Sequence, residues 1–273
     1  MSKLYDNHNH SQFSFDGKRT SILASATSAR DKGLGGLCFT DHCDFFVPLE
    51  KAEHENRVSE VFDISAQQAE IDRVRPLIPE IQIFKGIEMG MYRDCREQIR
   101  QQLDTHHFDQ VTASVHYKDD TDPYWGNYYK DKDWKTAYGH YLETIWEEIT
   151  WMQDFDVLGH FDYVARYAPY PQTSILYKDF SDVLDCILRY LAQEGKALEI
   201  NTKTYQDYHG RTPILDENIL RRYRELGGEA ISLGSDSHDA DRVGHHLEKW
   251  PEYLESLGFR YLAHFENRKL VML

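Results

Sequence analysis

The stretch AISLGSDSH, residues 230–238, decides how this chain is read. Three of its first four residues are apolar and the run closes on Gly234, as strands do. Directly beyond stand Asp236 and His238, two residues apart, where a strand would end. The same arrangement recurs along the chain. Apolar segments at 4–5, 37–40, 81–87, 111–115, 157–158 and 197–200 are followed, in order, by His8 with His10, Asp41 with His42, Glu88, His116, His160 and Asn201. Between them, residues 64–77, 134–152, 180–192 and 214–226 place apolar side chains at three- and four-residue steps, the helical spacing. In the third of these, Phe180, Val183, Leu184, Ile187, Leu188 and Leu191 make one face, with Ser181 or Asp179 available as a cap. The fourth runs into Gly227-Gly228, a usual helix stop. Seven strands alternating with helices predict parallel pairing through crossovers. In a (β/α) barrel the C-terminal ends of such strands share one face, so polar residues more than 200 positions apart would meet in one site.

Composition agrees with a folded α/β protein. The 273 residues are 41% hydrophobic and 13% aromatic, which excludes a disordered chain. No linker, repeat or low-complexity tract interrupts them, so one domain is expected. Against 46 acidic residues stand 31 Lys and Arg, a net charge of −15. That balance disfavours a protein that follows a nucleic-acid backbone, which needs a basic stripe. Apolar runs are too short to span a bilayer and the opening MSKLYDNHNH has no apolar signal core, so no membrane partner and a cytoplasmic location are expected. Cys38, Cys43, Cys95 and Cys186 form no CxxC pair, which points to reduced, packed thiols.

The residues at the strand ends carry the chemistry. His8 and His10 are two apart on an extended segment, so both rings point to the same side and can meet one ion. Asp236 and His238 repeat that geometry. Imidazole and carboxylate without thiolate suit Zn²⁺, Mn²⁺ or Fe²⁺ better than Mg²⁺ or Ca²⁺. The ligands are too many for one ion, so a multinuclear centre is expected, of the kind that activates water and clamps phosphoryl oxygens.

The motifs DNHNHSQFSFDG (6–17), TDH (40–42), KGIE (85–88), SVH (114–116), LGHFD (158–162), EINT (199–202) and GSDSH (234–238) resemble the polymerase and histidinol phosphatase (PHP) superfamily. The HSxFSxDG opening is most similar to its monofunctional histidinol-phosphate phosphatases. The resemblance implies a distorted (β/α)7 TIM-like barrel, one domain over residues 1–273, holding three divalent transition-metal ions (Zn, Mn or Fe). His8, His10, Glu88 and Asp236 would hold the first, and Glu88 would bridge to a second held by His116 and His160. Asp16, His42 and His238 would hold the third, with an aspartate at 16 where some members carry histidine. The implied reaction is hydrolysis of L-histidinol phosphate, in histidine biosynthesis, by a hydroxide held between ions. Glu88, Asp236 and Arg166 would be catalytic. Alternatives are another small phosphate ester or a nucleotide as substrate, or an inactive metal-binding barrel.

Arg166, six residues past His160, is the candidate phosphate clamp, and Lys203 is a second. Tyr117, after SVH, would either donate its hydroxyl to the substrate or pack against the rim. Asp41 would orient a ligand ring or cap a strand end, and Asp44, Asp162 and the Tyr124-Trp125 pair lie on the loops where the ammonium and imidazole of such a substrate would be met, none of them assigned by spacing alone. The partner is then a small phosphate ester, neither nucleic acid nor membrane. His54, His106, His107, His140, His209 and His264 are expected to be solvated, and the His245-His246 pair is given no ligand role.

Overall fold

The computed structural model describes residues 4–17, 19–55 and 59–273. Among them, ten strands join one sheet: β1 (Tyr5–Asn9), β2 (Gly36–Phe39), β3 (His42–Cys43), β4 (Gln82–Gly90), β5 (Gln110–Ser114), β6 (Val157–Leu158), β7 (Ala197–Asn201), β8 (Ile231–Gly234), β9 (Ala263–Glu266) and β10 (Lys269–Met272). The order is β1-β2-β4-β5-β6-β7-β8-β9-β10, with β3 set against β4. Every pairing is parallel except the terminal hairpin of β9 and β10. The sheet curls until β1 meets the end of β8: the amide of Asp236 donates to the His8 carbonyl at 2.9 Å, and that of His10 to the Ser237 carbonyl at 2.8 Å.

All seven segments read from the sequence are strands, and they are successive parallel neighbours. The simple seven-unit alternation is not what surrounds them, because β3 follows β2 without a helix and the β9-β10 hairpin adds two strands. The long helices are as expected with small shifts. Residues 134–152 form one helix, opened by Asp133, whose carboxylate accepts from the Thr136 amide at 2.7 Å. The helix at Ser181–Gln193 has Phe180 at its N-cap and no side-chain cap, so neither Ser181 nor Asp179 caps it. The last expected helix starts later, at Glu217, because Asp216 caps it, and Ile214 is exposed instead of buried. No helix of the described residues is long and apolar enough to cross a membrane.

Period-two alternation in the strands decides which side chains face the site. In β5, Val111 and Ala113 join the main apolar core under the helices, while Ser114 turns inward and donates to Glu88 at 2.7 Å. In β7, Leu198 and Ile200 are core while Glu199 and Asn201 point inward. In β4, Ile87 and Met89 are core, and Glu88 lies between them, fully buried on the other face. Each buried Leu, Ile or Val contributes roughly 1.5–3 kcal/mol. That apolar layer holds the polar inner face in register. A one-residue slip would turn Glu88 into the core and expose Ile87 to the site.

Candidate metal centre

Glu88 is the centre of the arrangement. Its Oε1 is 3.1 Å from His116 Nε2 and 2.7 Å from His160 Nε2. Its Oε2 is 2.8 Å from His42 Nδ1, 3.3 Å from His8 Nε2 and 3.6 Å from His10 Nε2. One carboxylate thus presents each oxygen to a different set of imidazoles, the geometry a bridging ligand needs. Asp236 lies 3.4 Å from His10, and Asp16 lies 2.8 Å from His238 and 3.7 Å from His42.

Four overlapping groups bring ligand atoms close enough to share an ion: His10, Asp16, His42 and His238; His8, His10 and Asp236; His8, Glu88 and His160; His42, Glu88 and His116. All nine ligands expected from the sequence are in them, and none of the other histidines among the described residues is. His42 differs from the implied partition. Its Nε2 faces Asp16, but its Nδ1 faces Glu88, so this ring stands between two groups. Four buried atoms that converge here, His8 Nε2, His10 Nε2, His42 Nδ1 and Glu88 Oε2, have no hydrogen-bond partner. Buried polar atoms are rarely left so. Three imidazole nitrogens crowd one carboxylate oxygen without hydrogen-bond geometry, an arrangement that a cation among them would satisfy, and the N/O donor set suits a transition metal.

The electrostatics agree. Burial alone would raise the Glu88 carboxyl, but His8, His116 and His42 hold it well below the usual carboxylate range. Against its burial, Asp236 is held low by Lys203, His10 and His8. Burial would lower His116, but Asp44 and Glu88 outweigh it, and the ring is pushed well above the usual imidazole range. His10 goes the other way, lowered by burial and by His238 and His42. The carboxylates are held ionised, the state in which they could bind a cation. Ion uptake would displace protons from rings such as His116.

A second layer orients the rings. His8 Nδ1 lies 2.7 Å from Glu199 Oε1, and the other Glu199 oxygen accepts from the His160 amide at 2.6 Å. His116 Nδ1 lies 3.0 Å from Asp44 Oδ1, and His10 Nδ1 lies 3.1 Å from Ser14 Oγ. Two glycines make this approach possible. A Cβ at Gly234 would stand 2.4 Å from Glu199 Oε1 and 2.5 Å from His8 Cβ, and one at Gly90 would overlap the Asp44 carboxylate. Asp44 is therefore a partner of His116. Asp41 bonds Ser11 Oγ at 2.6 Å and Gln67 at 2.7 Å, tying the end of β2 to the loop after β1. Asp162 accepts from Tyr205 at 2.6 Å. Glu199 had a readable signal, since it shares a strand face with Asn201 at an i, i+2 step. Glu199→Gln should weaken ion binding by about 10–100-fold, the scale for partners of ligating histidines, with the fold intact. Titration of the stripped protein with Zn²⁺ against a competing chelator would measure it, and unchanged affinity would remove Glu199 from this role.

Arg166 closes the short helix Tyr163–Arg166 and is buried, not a solvated surface charge. Its Nη2 donates to Thr204 Oγ1 at 2.8 Å and to Asn201 Oδ1 at 3.0 Å, while Nη1 lies 3.3 Å from Asp236. Lys203 Nζ is 3.1 Å from the other Asp236 oxygen. Both line a cavity of about 430 Å³ that also opens on Asp16, His42, His116 and His238. Tyr117 lines it with its ring, but its hydroxyl donates to Glu60 and accepts from Lys51 at 2.9 Å. Sequence reasoning missed Lys51, Glu60 and Asp122, which the long loops bring to the same cavity. Of the histidines expected to be solvated, His107, His140 and His209 are exposed and His106 is half-buried. His264 is buried, its ring stacked on Tyr5 at 4.4 Å. The side chain of His54 lies outside the described residues. Cys43 is a packed core thiol.

Comparison with known proteins places these observations in context. Residues 6–203 match the PHP domain family. A histidinol-phosphatase of Lactococcus lactis subsp. lactis is 36% identical over 272 residues, covering 99% of this chain and 97% of the relative. A probable histidinol-phosphatase of Clostridium acetobutylicum is 31% identical, covering 88% of this chain and 89% of its own. Among solved structures, histidinol phosphate phosphatase from L. lactis, crystallised with zinc, L-histidinol and phosphate, superposes with a TM-score of 0.88 at 32% identity. It covers 99% of this chain and 100% of the other.

Proposed function

The chain belongs to the PHP domain family, and from that premise we infer that it is a phosphatase that hydrolyses L-histidinol phosphate to L-histidinol and phosphate, a reaction of histidine biosynthesis. One observation carries this reading: a full-length likeness to a histidinol phosphate phosphatase falls on a chain whose own residues gather eight candidate ligand side chains around a ninth, Glu88. We read residues 1–273 as one domain and β1, β2 and β4 to β8 as the staves of a (β/α)7 barrel, to which β3 and the β9-β10 hairpin are additions. The four unpaired thiols support a cytoplasmic location.

The ligand groups support three ions, with zinc, manganese or iron suited to the donors. Glu88 would be shared between two of them, with His8, His10 and Asp236 on one side and His116 and His160 on the other. Asp16, His42 and His238 would complete the third. Bound there, such ions supply a water of lowered pKa and positive charge for phosphoryl oxygens.

The chain's own residues do the rest. Asn201, Thr204 and Asp236 hold the Arg166 guanidinium at the edge of the ligand cluster, where a phosphoryl group would present its free oxygens. Burial opposes its charge, but Tyr167 and Asp236 beside it keep it cationic throughout the working range. Lys203 adds a second positive charge, kept close by Asp236. Pre-set donors of this kind need no reorganisation as charge spreads over the phosphoryl oxygens. Phosphate release from a panel of histidinol phosphate, nucleotides and sugar phosphates tests the substrate. The expected result is histidinol phosphate as the best substrate. Turnover of it no faster than that of p-nitrophenyl phosphate would overturn the assignment.

A further inference from the structure

The cavity beside the ligand cluster is electrically two-sided. Arg166 and Lys203 stand on the Asp236 side. The lining also carries carboxylates and aromatic rings: Glu60 and Asp122, with the Tyr163 hydroxyl on Asp122 and the Tyr163 and Tyr167 rings under the Arg166 guanidinium. Lys51 is buried there, its Nζ 3.1 Å from Glu60 Oε1, 2.9 Å from the Tyr117 hydroxyl and 4.8 Å over the Phe15 ring. This wall already accommodates one ammonium.

Asp122 is the member whose bonding is incomplete. It is 97% buried, being only 3% exposed, and its Oδ1 accepts from the Tyr124 amide at 2.8 Å and the Tyr163 hydroxyl at 3.1 Å. Among the described residues no hydrogen bond reaches its Oδ2. Lys51 Nζ stands 3.5 Å from that oxygen but is bonded to Glu60 and Tyr117. Burial pushes the Asp122 carboxyl up, with Lys51 and the Tyr124 amide opposing. Glu60 and Asp122 thus share one cation, Lys51, which spends its hydrogen bonds on Glu60 and Tyr117, and a cationic ligand in the cavity would balance the remaining carboxylate and give Oδ2 its donor.

We propose that Asp122 binds the ammonium group of the substrate and thereby selects amine-bearing phosphate esters over others. The proposal rests on the histidinol phosphate reading and names the residue that gives it specificity. The ring of Tyr163, whose hydroxyl holds Asp122, is centred 5.2 Å from that of His160 and 5.7 Å from that of His116. Asp122 is thus one side chain away from the ion ligands. In histidinol phosphate the ammonium sits on the second carbon from the ester oxygen, the same short reach, while the imidazole begins one carbon further out. Beyond Asp122, Tyr124 and Tyr208 stand edge-on to Tyr167, at 5.2 and 5.0 Å, as an aromatic wall for that ring.

The test is Asp122→Asn in the metal-loaded enzyme, since the amide keeps the Oδ1 acceptor for Tyr124 and Tyr163. With histidinol phosphate, kcat/KM should fall about tenfold or more, mostly through KM, the scale of losing one charged hydrogen bond. With p-nitrophenyl phosphate and with 3-(imidazol-4-yl)propyl phosphate, neither of which carries the ammonium, it should fall less than about threefold. Equal losses on all three esters, or none on any, would overturn the proposal, as would a loss shared by the two imidazole esters alone. Wild-type enzyme without preference for histidinol phosphate over p-nitrophenyl phosphate would instead sink the functional reading, and this proposal with it.

Discussion

Replacing Glu88 by glutamine should reduce phosphate release from histidinol phosphate by at least about 10³-fold, because the charge of a bound ion on a phosphoryl oxygen is worth several kcal/mol and each ~1.36 kcal/mol is a factor of ten. The reason is geometric. Both oxygens of Glu88 face imidazoles, His116 and His160 on one side and His42, His8 and His10 on the other. An amide keeps the shape but loses the charge, and its nitrogen cannot ligate, so two ions are weakened by one change. His42→Ala removes one of the five rings that face Glu88 and leaves the carboxylate itself in place. It should retain at least about tenfold more activity than Glu88→Gln. Steady-state rates together with elemental analysis of both variants measure this, with circular dichroism as the check on folding. Equal activities would contradict a bridging role for Glu88.

The second large effect is at Arg166. Arg166→Ala should lower kcat/KM by roughly two orders of magnitude and raise KM, the scale of removing one preorganised charged donor. Its metal content should be that of the wild type, because the ligand groups do not include the guanidinium. Arg166→Lys should recover only part of the loss. An ammonium supplies charge, but it cannot reach Asn201, Thr204 and a phosphoryl oxygen in one plane as the fork does. Near-normal kcat/KM for Arg166→Ala with full metal occupancy would move the clamp to Lys203. Arg211, the other cation past β7, is occupied by the Ala168 carbonyl at 2.6 Å.

What was legible in the sequence follows from what is local. A strand and the residue ending it are neighbours in the chain, so 111–115 with His116, or 230–233 with Asp236, could be read together. The barrel rule then supplied the long-range step that joins His8 to Asp236. The β9-β10 hairpin was not legible, because its four-residue strands carry His264, Glu266 and Lys269 and have no long apolar run. Nor could spacing say that His264 is buried, since only the fold brings Tyr5 and Phe84 onto its ring. The carboxylate wall was hidden for a similar reason. Lys51 stands on the short helix Leu49–Glu55, Glu60 just after it and Asp122 in the loop past β5, and a lysine between carboxylates has no signature until these segments are packed. Asp44 was visible but spacing could not assign it. It stands near the right ligand, and only the close approach at Gly90 reveals that it serves His116.

The most direct test of a shared carboxylate in a multinuclear centre is the rate of phosphate release from histidinol phosphate as Zn²⁺ or Mn²⁺ is added back, equivalent by equivalent, to chelator-stripped protein. Activity that keeps rising beyond the first equivalent, and levels only when further ions are bound, is the predicted result. Full activity at one equivalent, or binding that stops at one, would contradict it.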